Sequence, residues 1–207
     1  MPGTAVEYKG QRWSVSTEYG ERRQRILLHR TAPNTEPTTL ELTETGRYDN
    51  PALCLHSDTL YVCWEDNQAA HCGITCKAIA LSEDASGEYV CRGSTKCITD
   101  GSERGYRPLL VSNGKAVFLF YESFSGGRYR LMMRCAPEGE ELFGAPLEIG
   151  FDAGNDMAPS AWVVQDGILV AWENSFPLSR DDEWINPDGG VITMPAFGHG
   201  WRVNTTL

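Results

Sequence analysis

A fifteen-residue frame recurs through this chain and restricts its fold more than any other feature. Pro51 to Glu65 reads Pro-Ala-Leu-Cys-Leu-His-Ser-Asp-Thr-Leu-Tyr-Val-Cys-Trp-Glu. Pro108 to Glu122 reads Pro-Leu-Leu-Val-Ser-Asn-Gly-Lys-Ala-Val-Phe-Leu-Phe-Tyr-Glu, and Pro159 to Glu173 closes in the same way on Val-Ala-Trp-Glu. Thr4 to Glu18 fits without a gap, with Val6, Trp13, Val15 and Glu18 on the shared columns. The closing Glu therefore stands at 18, 65, 122 and 173, in steps of 47, 57 and 51 residues. A period near 50 in a chain of short apolar runs marks the blades of a propeller.

Within each repeat a strand leads to a turn and then to a more apolar strand. The turns are Lys9-Gly10-Gln11, His56-Ser57-Asp58, Asn113-Gly114-Lys115 and Gln165-Asp166-Gly167, and Asn-Gly and Asp-Gly there are hairpin signals. Second strands such as Leu60–Trp64 and Ile168–Trp172 are apolar throughout, as strands buried on both faces are. A third strand comes next, with a basic residue twelve places after the Glu at Arg30, Lys77 and Arg134. A weaker fourth strand closes the blade. The class is all-β: four-stranded antiparallel blades over about 1–46, 47–103, 104–154 and 155–207. Leu53, Val62, Trp64, Leu110, Leu119, Tyr121, Val163, Val170 and Trp172 are the expected core.

The fourth repeat departs from the pattern. Residue 185 is Ile where a basic residue is expected, and a polar insert with Arg180, Asp181, Asp182, Glu183, Trp184 and Asn186 comes after Glu173. Four blades lie at the lower limit for a propeller. Either four close on themselves, or the chain is a segment of a larger wheel, or two chains join. Long, regular blades favour a segment or a self-assembling half.

The totals exclude some partners. The net charge is −10, so neither a nucleic acid nor an anionic membrane surface finds a basic face. No window approaches the roughly 18 apolar residues of a membrane span, and no secretory signal is visible, which leans the location towards the cytoplasm. Seven cysteines are an odd number and read as reduced thiols rather than a disulfide scaffold. A Cys54–Cys63 bridge across adjacent strands is the alternative. His71, Cys72 and Cys76 have a spacing that zinc accepts, but no second ligand pair comes after them; no metal or cofactor is expected.

A Pro-led strand, a Gly or Asp turn, an apolar strand ending in Trp-Glu and then a strand ending in Arg is similar to the repeats of sialidase-like (BNR-type) β-propellers. The likeness covers nearly the whole chain, although the Asp box Ser-x-Asp-x-Gly-x-Thr-Trp is missing from every blade. Enzymes of that family hold a substrate carboxylate with three arginines, one of them in a Phe-Arg-x-Pro motif. Tyr106-Arg107-Pro108 resembles this motif without the intervening residue, so the resemblance reaches Arg107 and no other position. It implies a carbohydrate-recognising module or the propeller part of a glycan-processing hydrolase.

The face collecting the loops before each first strand and after each second strand carries Tyr48-Asp49-Asn50, Tyr106-Arg107, Asn155-Asp156-Met157 and the fourth-repeat insert. Carboxylates across a channel suit acid–base work on a glycosidic bond. A Glu in every repeat nevertheless points to a task that every blade has, pairing with the recurring basic residue or with loop amides. Glu173 is the exception, having lost that basic residue. Asp49 and Asp156 also read as turn-formers. Trp64, Tyr121 and Trp172 belong to inter-blade packing, whereas Trp184 and Trp201 lie outside the columns and suit stacking on a sugar. His199, between two glycines, is of the residue type that serves as a general acid or base. The candidate ligand-binding set is Asp49, Arg107, Asp156, Glu173, Arg180, Asp182, Trp184 and His199, with carbohydrate as the partner. A non-catalytic interaction or assembly scaffold is the rival reading.

Overall fold

The computed structural model describes residues 4–21, 23–68, 73–83, 89–93, 95–99, 103–137, 143–150, 154–165, 167–176, 184–185, 191–192 and 196–204. Every regular element among them is a strand. Blade 1 is the sheet β1 (Ala5–Tyr8), β2 (Gln11–Tyr19), β3 (Gln24–Thr31) and β4 (Thr38–Glu41), paired in chain order. Blade 2 is β5 (Tyr48–His56), β6 (Thr59–Asp66), β7 (Gly73–Glu83) and β8 (Tyr89–Arg92). Its outer position is split. β8 takes Ala80–Glu83 of the long β7, and β9 (Thr95–Cys97) takes Thr75–Lys77. Blade 3 is β10 (Arg104–Ser112), β11 (Ala116–Ser125), β12 (Arg128–Pro137) and β13 (Leu147–Glu148).

Blade 4 pairs β14 (Asn155–Val164) with β15 (Gly167–Phe176), and β15 with β18 (Ala196–Asn204). The sequence between them holds a separate ribbon, β16 (Trp184–Ile185) on β17 (Val191–Ile192). The expected hairpins are present: Lys9 and Gly10 have φ of 48° and 73°, and Gly114 has φ of 84°. Two adjacent left-handed residues give the twist that matches paired strands.

Sheets stack because the second strands of blades 2, 3 and 4 carry apolar residues on both faces and β2 of blade 1 on one. In β11, Val117, Leu119 and Tyr121 pack on blade 2, while Phe118 and Phe120 pack on blade 4. In β6, Leu60, Val62 and Trp64 pack on blade 1, while Tyr61 and Cys63 pack on blade 3. Apolar surface buried in such a stack stabilises by about 25 cal/mol per Å². First strands pack on one another, β5 on β10 and β10 on β14, so their entrances gather at one end of the stack.

Of the expected core, Leu53, Val62, Trp64, Leu110, Leu119, Tyr121, Val170 and Trp172 are buried. Val163 is not; it is 46% exposed. It stands one residue before the end of β14, opposite Ile168, at the rim where the facing blade no longer covers the sheet. The matching positions Leu55 and Ser112 are also only half-buried.

The gapless frame for blade 1 also needs correction. Glu65 pairs with Ile74 and Glu122 with Leu131, each nine places on. Glu18 pairs with Arg25, seven places on, whereas Thr17 pairs with Ile26, nine places on. Thr17, not Glu18, therefore occupies the Glu65 position, and Glu18 is exposed. The hairpin of blade 1 is shorter by two residues, which moves the column by one.

Cys54, Cys63 and Cys76 are free and buried, Cys135 is free and half-buried, and Cys97 is free and exposed. Cys54 faces Tyr61 across the ladder and Cys63 faces Cys76, so Cys54 and Cys63 are not opposed and no bridge joins them. His71 and Cys72 lie outside the described residues. Among those described, no group of three or more His, Cys, Asp or Glu side chains is arranged to hold a metal, and no helix is long and apolar enough to cross a membrane.

Candidate functional site

The first strands of blades 2, 3 and 4 share a local irregularity. In each, pairing slips just before the Pro-led segment, between Asp49 and Ala52, Tyr106 and Leu109, and Met157 and Ser160. The residue preceding Pro is left-handed in all three: Asn50 at φ 47°, Arg107 at 48° and Ala158 at 51°. Residues before proline normally stay extended, and a left-handed non-glycine costs about 1–3 kcal/mol. Something must hold the strain.

The recurring Glu holds it. Glu65 Oε1 accepts the Arg107 amide at 2.6 Å, and Glu122 Oε1 accepts the Ala158 amide at 2.7 Å. Each carboxylate at the end of a second strand thus receives the bulge amide of the next blade. Both are buried, at 5% and 2% exposure. Asn50 Nδ2 donates to Glu65 Oε1 at 2.6 Å, and Arg107 Nη1 donates to Glu122 Oε1 at 3.3 Å. A continuous chain of bonds therefore runs from Asn50 through Glu65, Arg107 and Glu122 to Ala158. Burial is the first cause raising the Glu122 carboxyl above its usual range; the Ala158 amide and the Arg107 guanidinium pull the other way.

Bulge amides inside the first strands, rather than loop amides, are thus the partners of these carboxylates, and the expected pairing with the recurring basic residue does not occur. Arg134 lies opposite Leu119, three residues from Glu122 and about 10 Å along the strand. It bonds instead to Glu103 at 3.3 Å, the Tyr121 hydroxyl at 3.1 Å and the Gly144 carbonyl at 3.1 Å.

Only some of the candidate residues come together. Asp49 and Arg107 both stand at strand entrances, each beside Glu65. Asp49 is the register partner of Glu65 and accepts the Tyr19 hydroxyl at 3.1 Å. The Arg107 side chain is 59% exposed, so most of its donors face solvent. Asp156 lies beneath, fully buried, with Oδ1 accepting Trp172 Nε1 and Asn174 Nδ2 at 2.8 Å each. Gly150 packs so closely on its carboxylate that a Cβ would have no room. Asp49 and Asp156 sit inside strands rather than turns. Glu173 is exposed and its backbone pairs with His199. Arg180 and Asp182 lie outside the described residues, as do the side chains of Trp184 and His199.

Sequence reasoning missed an aromatic cluster. The rings of Tyr106 and Tyr129 lie 6.0 Å apart edge to face, and those of Phe124 and Tyr129 5.0 Å apart. Phe124 is 38% exposed. Tyr106 is opposite Glu122 and Phe124 is opposite Tyr129 in the ladders, so all three share the face of blade 3 that bears Glu122. The signal was the run Tyr121-Glu122-Ser123-Phe124, in which Phe124 falls two places past the Glu on the same face.

No protein-family model and no curated protein matches the chain. Solved structures do. An alpha-L-arabinofuranosidase from Podospora anserina, in complex with cellotriose, is similar over 100% of this chain and 64% of its own, with a TM-score of 0.56 and 13% identity. The catalytic domain of the Coprinopsis cinerea GH62 alpha-L-arabinofuranosidase is similar over 98% and 66%, with a TM-score of 0.52 and 11% identity. An exo-1,5-alpha-L-arabinanase from a bovine ruminal metagenomic library is similar over 92% and 76%, with a TM-score of 0.50 and 13% identity. The chain spans somewhat less than two thirds of the length of the first two. The likeness carries the propeller fold and not the sialidase-type identification: the chain is an all-β protein of stacked propeller blades, a fold it shares with glycoside hydrolases.

Proposed function

We propose that the chain is a carbohydrate-recognising propeller whose binding site lies at the strand entrances of blades 2 and 3. One observation carries the reading: an exposed aromatic cluster, Phe124 with Tyr129 and Tyr106, stands beside the solvent-facing guanidinium of Arg107. A sugar offers an apolar ring face to stack and hydroxyl edges to hydrogen-bond. Asp49 supplies an acceptor at the neighbouring strand entrance, Glu65 fixes the backbone from which Arg107 projects, and Glu122 orients its guanidinium. Glu173 with His199, and Arg180, Asp182 and Trp184 from the insert, extend the same site in this reading, while Asp156 supports it from below. The sialidase-like motif adds support for Arg107 alone, and the glycan-processing hydrolase is the finer form of the proposal.

A scaffold reading also has an observation in its favour. The outer face of blade 4 presents Trp162, 39% exposed, opposite Leu169, an apolar surface suited to another protein. The test is a panel of neutral and acidic oligosaccharides monitored by intrinsic tryptophan fluorescence and calorimetry. Phe124→Ala and Arg107→Ala should each lower affinity for a bound sugar tenfold or more, about 1.4 kcal/mol, with the unfolding midpoint unchanged for Phe124→Ala and the fold retained in Arg107→Ala. No sugar response across the panel leaves the scaffold reading standing.

A further inference from the structure

Cys63 on β6 and Cys76 on β7 are register partners, on the face of blade 2 that packs against blade 3. One bond at the end of the ladder fixes what kind of pair they are. The Leu81 amide donates to the Asp58 carbonyl at 2.7 Å, and Asp58 stands opposite Leu81, one step beyond Thr59 and Ala80. Hydrogen-bonded and non-hydrogen-bonded pairs alternate along an antiparallel ladder. Asp58 with Leu81 is bonded, so Cys63 with Cys76, five steps on, is a non-bonded pair. Such pairs hold their Cα atoms about 4.5 Å apart with the side chains close, within the roughly 4.4–6.8 Å that a disulfide spans. We propose that Cys63 and Cys76 form an oxidation site, which a small disulfide of the glutathione class converts to a cross-strand bridge within blade 2.

The neighbouring buried thiol is badly placed to compete. Cys54 stands opposite Tyr61, two residues from Ala52, which is opposite Cys63. Cys54 and Cys63 are therefore diagonal neighbours, about 7–8 Å apart, and Cys54 is two strand spacings, about 9.5 Å, from β7. The side chains of Cys63 and Cys76, by contrast, are already joined by a hydrogen bond. After burial, that bond is the second cause holding the Cys63 thiol well above its usual range.

Burial also sets when the bridge forms. Cys63 is 0% and Cys76 5% exposed, so the closed joint screens both sulfurs, and exchange takes place while blade 3 is off blade 2, as the chain folds. One cysteine thiolate attacks the small disulfide, forming a mixed disulfide and releasing one thiol. The opposed thiolate then attacks the protein-bound sulfur and releases the second. Two electrons pass from the cysteine pair to the small disulfide, and the two cysteine protons end on the two released thiols. Closing the joint afterwards screens the bridge from reductant. The link restricts the unfolded chain between residues 63 and 76. It also lies two residues from Glu65, on the same face of β6, and braces the strand end that receives the Arg107 amide.

The experiment refolds the whole chain in parallel, in glutathione with the disulfide form in excess and in dithiothreitol. Free thiols are then blocked by alkylation, and peptide mapping and thermal unfolding are read on both samples. A linked Cys63–Cys76 peptide should be the principal intramolecular bridge. The bridged chain should melt about 5 °C or more above the reduced one. Cys76→Ala should remove both the bridge and the shift, and Cys54→Ala should remove neither. Reduced Cys63 and Cys76 after folding in glutathione, a principal bridge from Cys54 to either of them, or a bridged chain that melts no higher than the reduced one overturns the proposal. The parent chain alone gives these readings, so they stand even where Cys76→Ala fails to fold. None of them involves a sugar, so this inference and the proposed function fail independently.

Discussion

The joints that close blades 2 and 3 onto their next neighbours differ from the joint between blades 1 and 2. In the first two, a buried carboxylate receives the strained amide of the next blade, Glu65 from Arg107 and Glu122 from Ala158. Between blades 1 and 2 the matching position is Thr17, whose hydroxyl is buried and has no hydrogen-bond partner among the described residues. Tyr19 to Asp49 and Tyr8 to Asp58, at 3.1 and 2.7 Å, act there instead, over a cluster that includes Trp13, Tyr48 and Trp64. Apolar stacking suffices to join two blades. The carboxylate adds direction: it fixes the bulge and aims the side chain borne there, which at Arg107 is an exposed guanidinium.

The largest effects should come from the stacking that both kinds of joint share. Trp64 and Trp172 are equivalent, 1% and 3% exposed. The Trp64 indole nitrogen is buried without a hydrogen-bond partner among the described residues, whereas that of Trp172 donates to Asp156. Trp64→Ala should cost about 3–5 kcal/mol, the usual loss for a large core aromatic. Trp172→Ala should cost about 1–3 kcal/mol more, because a fully buried carboxylate loses a donor. Denaturant unfolding of both variants measures the difference, and equal losses would mean that the indole bond contributes nothing.

Smaller and opposite effects should separate the joints. Glu65→Gln and Glu122→Gln each replace a carboxyl oxygen of a buried bond network by an amide nitrogen that cannot accept, and should cost about 1–3 kcal/mol. Thr17→Val removes an unsatisfied buried hydroxyl and should leave stability unchanged or raise it by about 1 kcal/mol. The Glu122 effect also depends on pH. Its carboxyl is raised in the folded state, so the fold holds that proton to higher pH than the unfolded chain does. The stability linked to it is full below the unfolded pKa of about 4.3 and is lost as pH rises through the folded pKa. The deficit of Glu122→Gln against the parent should therefore shrink from pH 4 towards neutrality. A deficit that grows over that range would reverse the assignment of burial as the leading cause.

Blades 2 to 4 were legible because Pro, the hairpin turn and the Trp-Glu or Tyr-Glu ending keep one spacing around one hairpin. Blade 1 was legible as a blade and misplaced by one residue, since nothing in Thr17-Glu18-Tyr19 announces a second hairpin two residues shorter. The role of Glu65 and Glu122 was half legible. Recurrence pointed to a common task, but an arginine at a fixed sequence offset suggests ion pairing, and only the ladder shows Arg134 opposite Leu119. The left-handed bulge was hidden, because a residue before proline reads as extended. The ring cluster was hidden too, since Phe124 and Tyr129 flank a turn whose glycines explain the stretch without it.

Glu173 carries the smallest expected effect and the most informative one. It comes after Trp172 as Glu65 comes after Trp64, on the same column of its blade, yet it is exposed where Glu65 and Glu122 are buried. The difference lies in the partner: blades 3 and 4 supply the amides of Arg107 and Ala158 to the earlier carboxylates, whereas no described residue donates a hydrogen bond to the Glu173 carboxylate. A solvated carboxylate away from any such feature changes stability by no more than about 0.5 kcal/mol when replaced. Glu173→Gln should therefore leave the unfolding midpoint of the isolated chain within that range, against the larger loss for Glu122→Gln. Repeating the pair of measurements across protein concentration sharpens the comparison. If Glu173→Gln becomes as costly as Glu122→Gln when the chain is concentrated, an amide from a neighbouring chain reaches the carboxylate as the next blade's does. If it stays neutral throughout, the carboxylate remains available to a ligand.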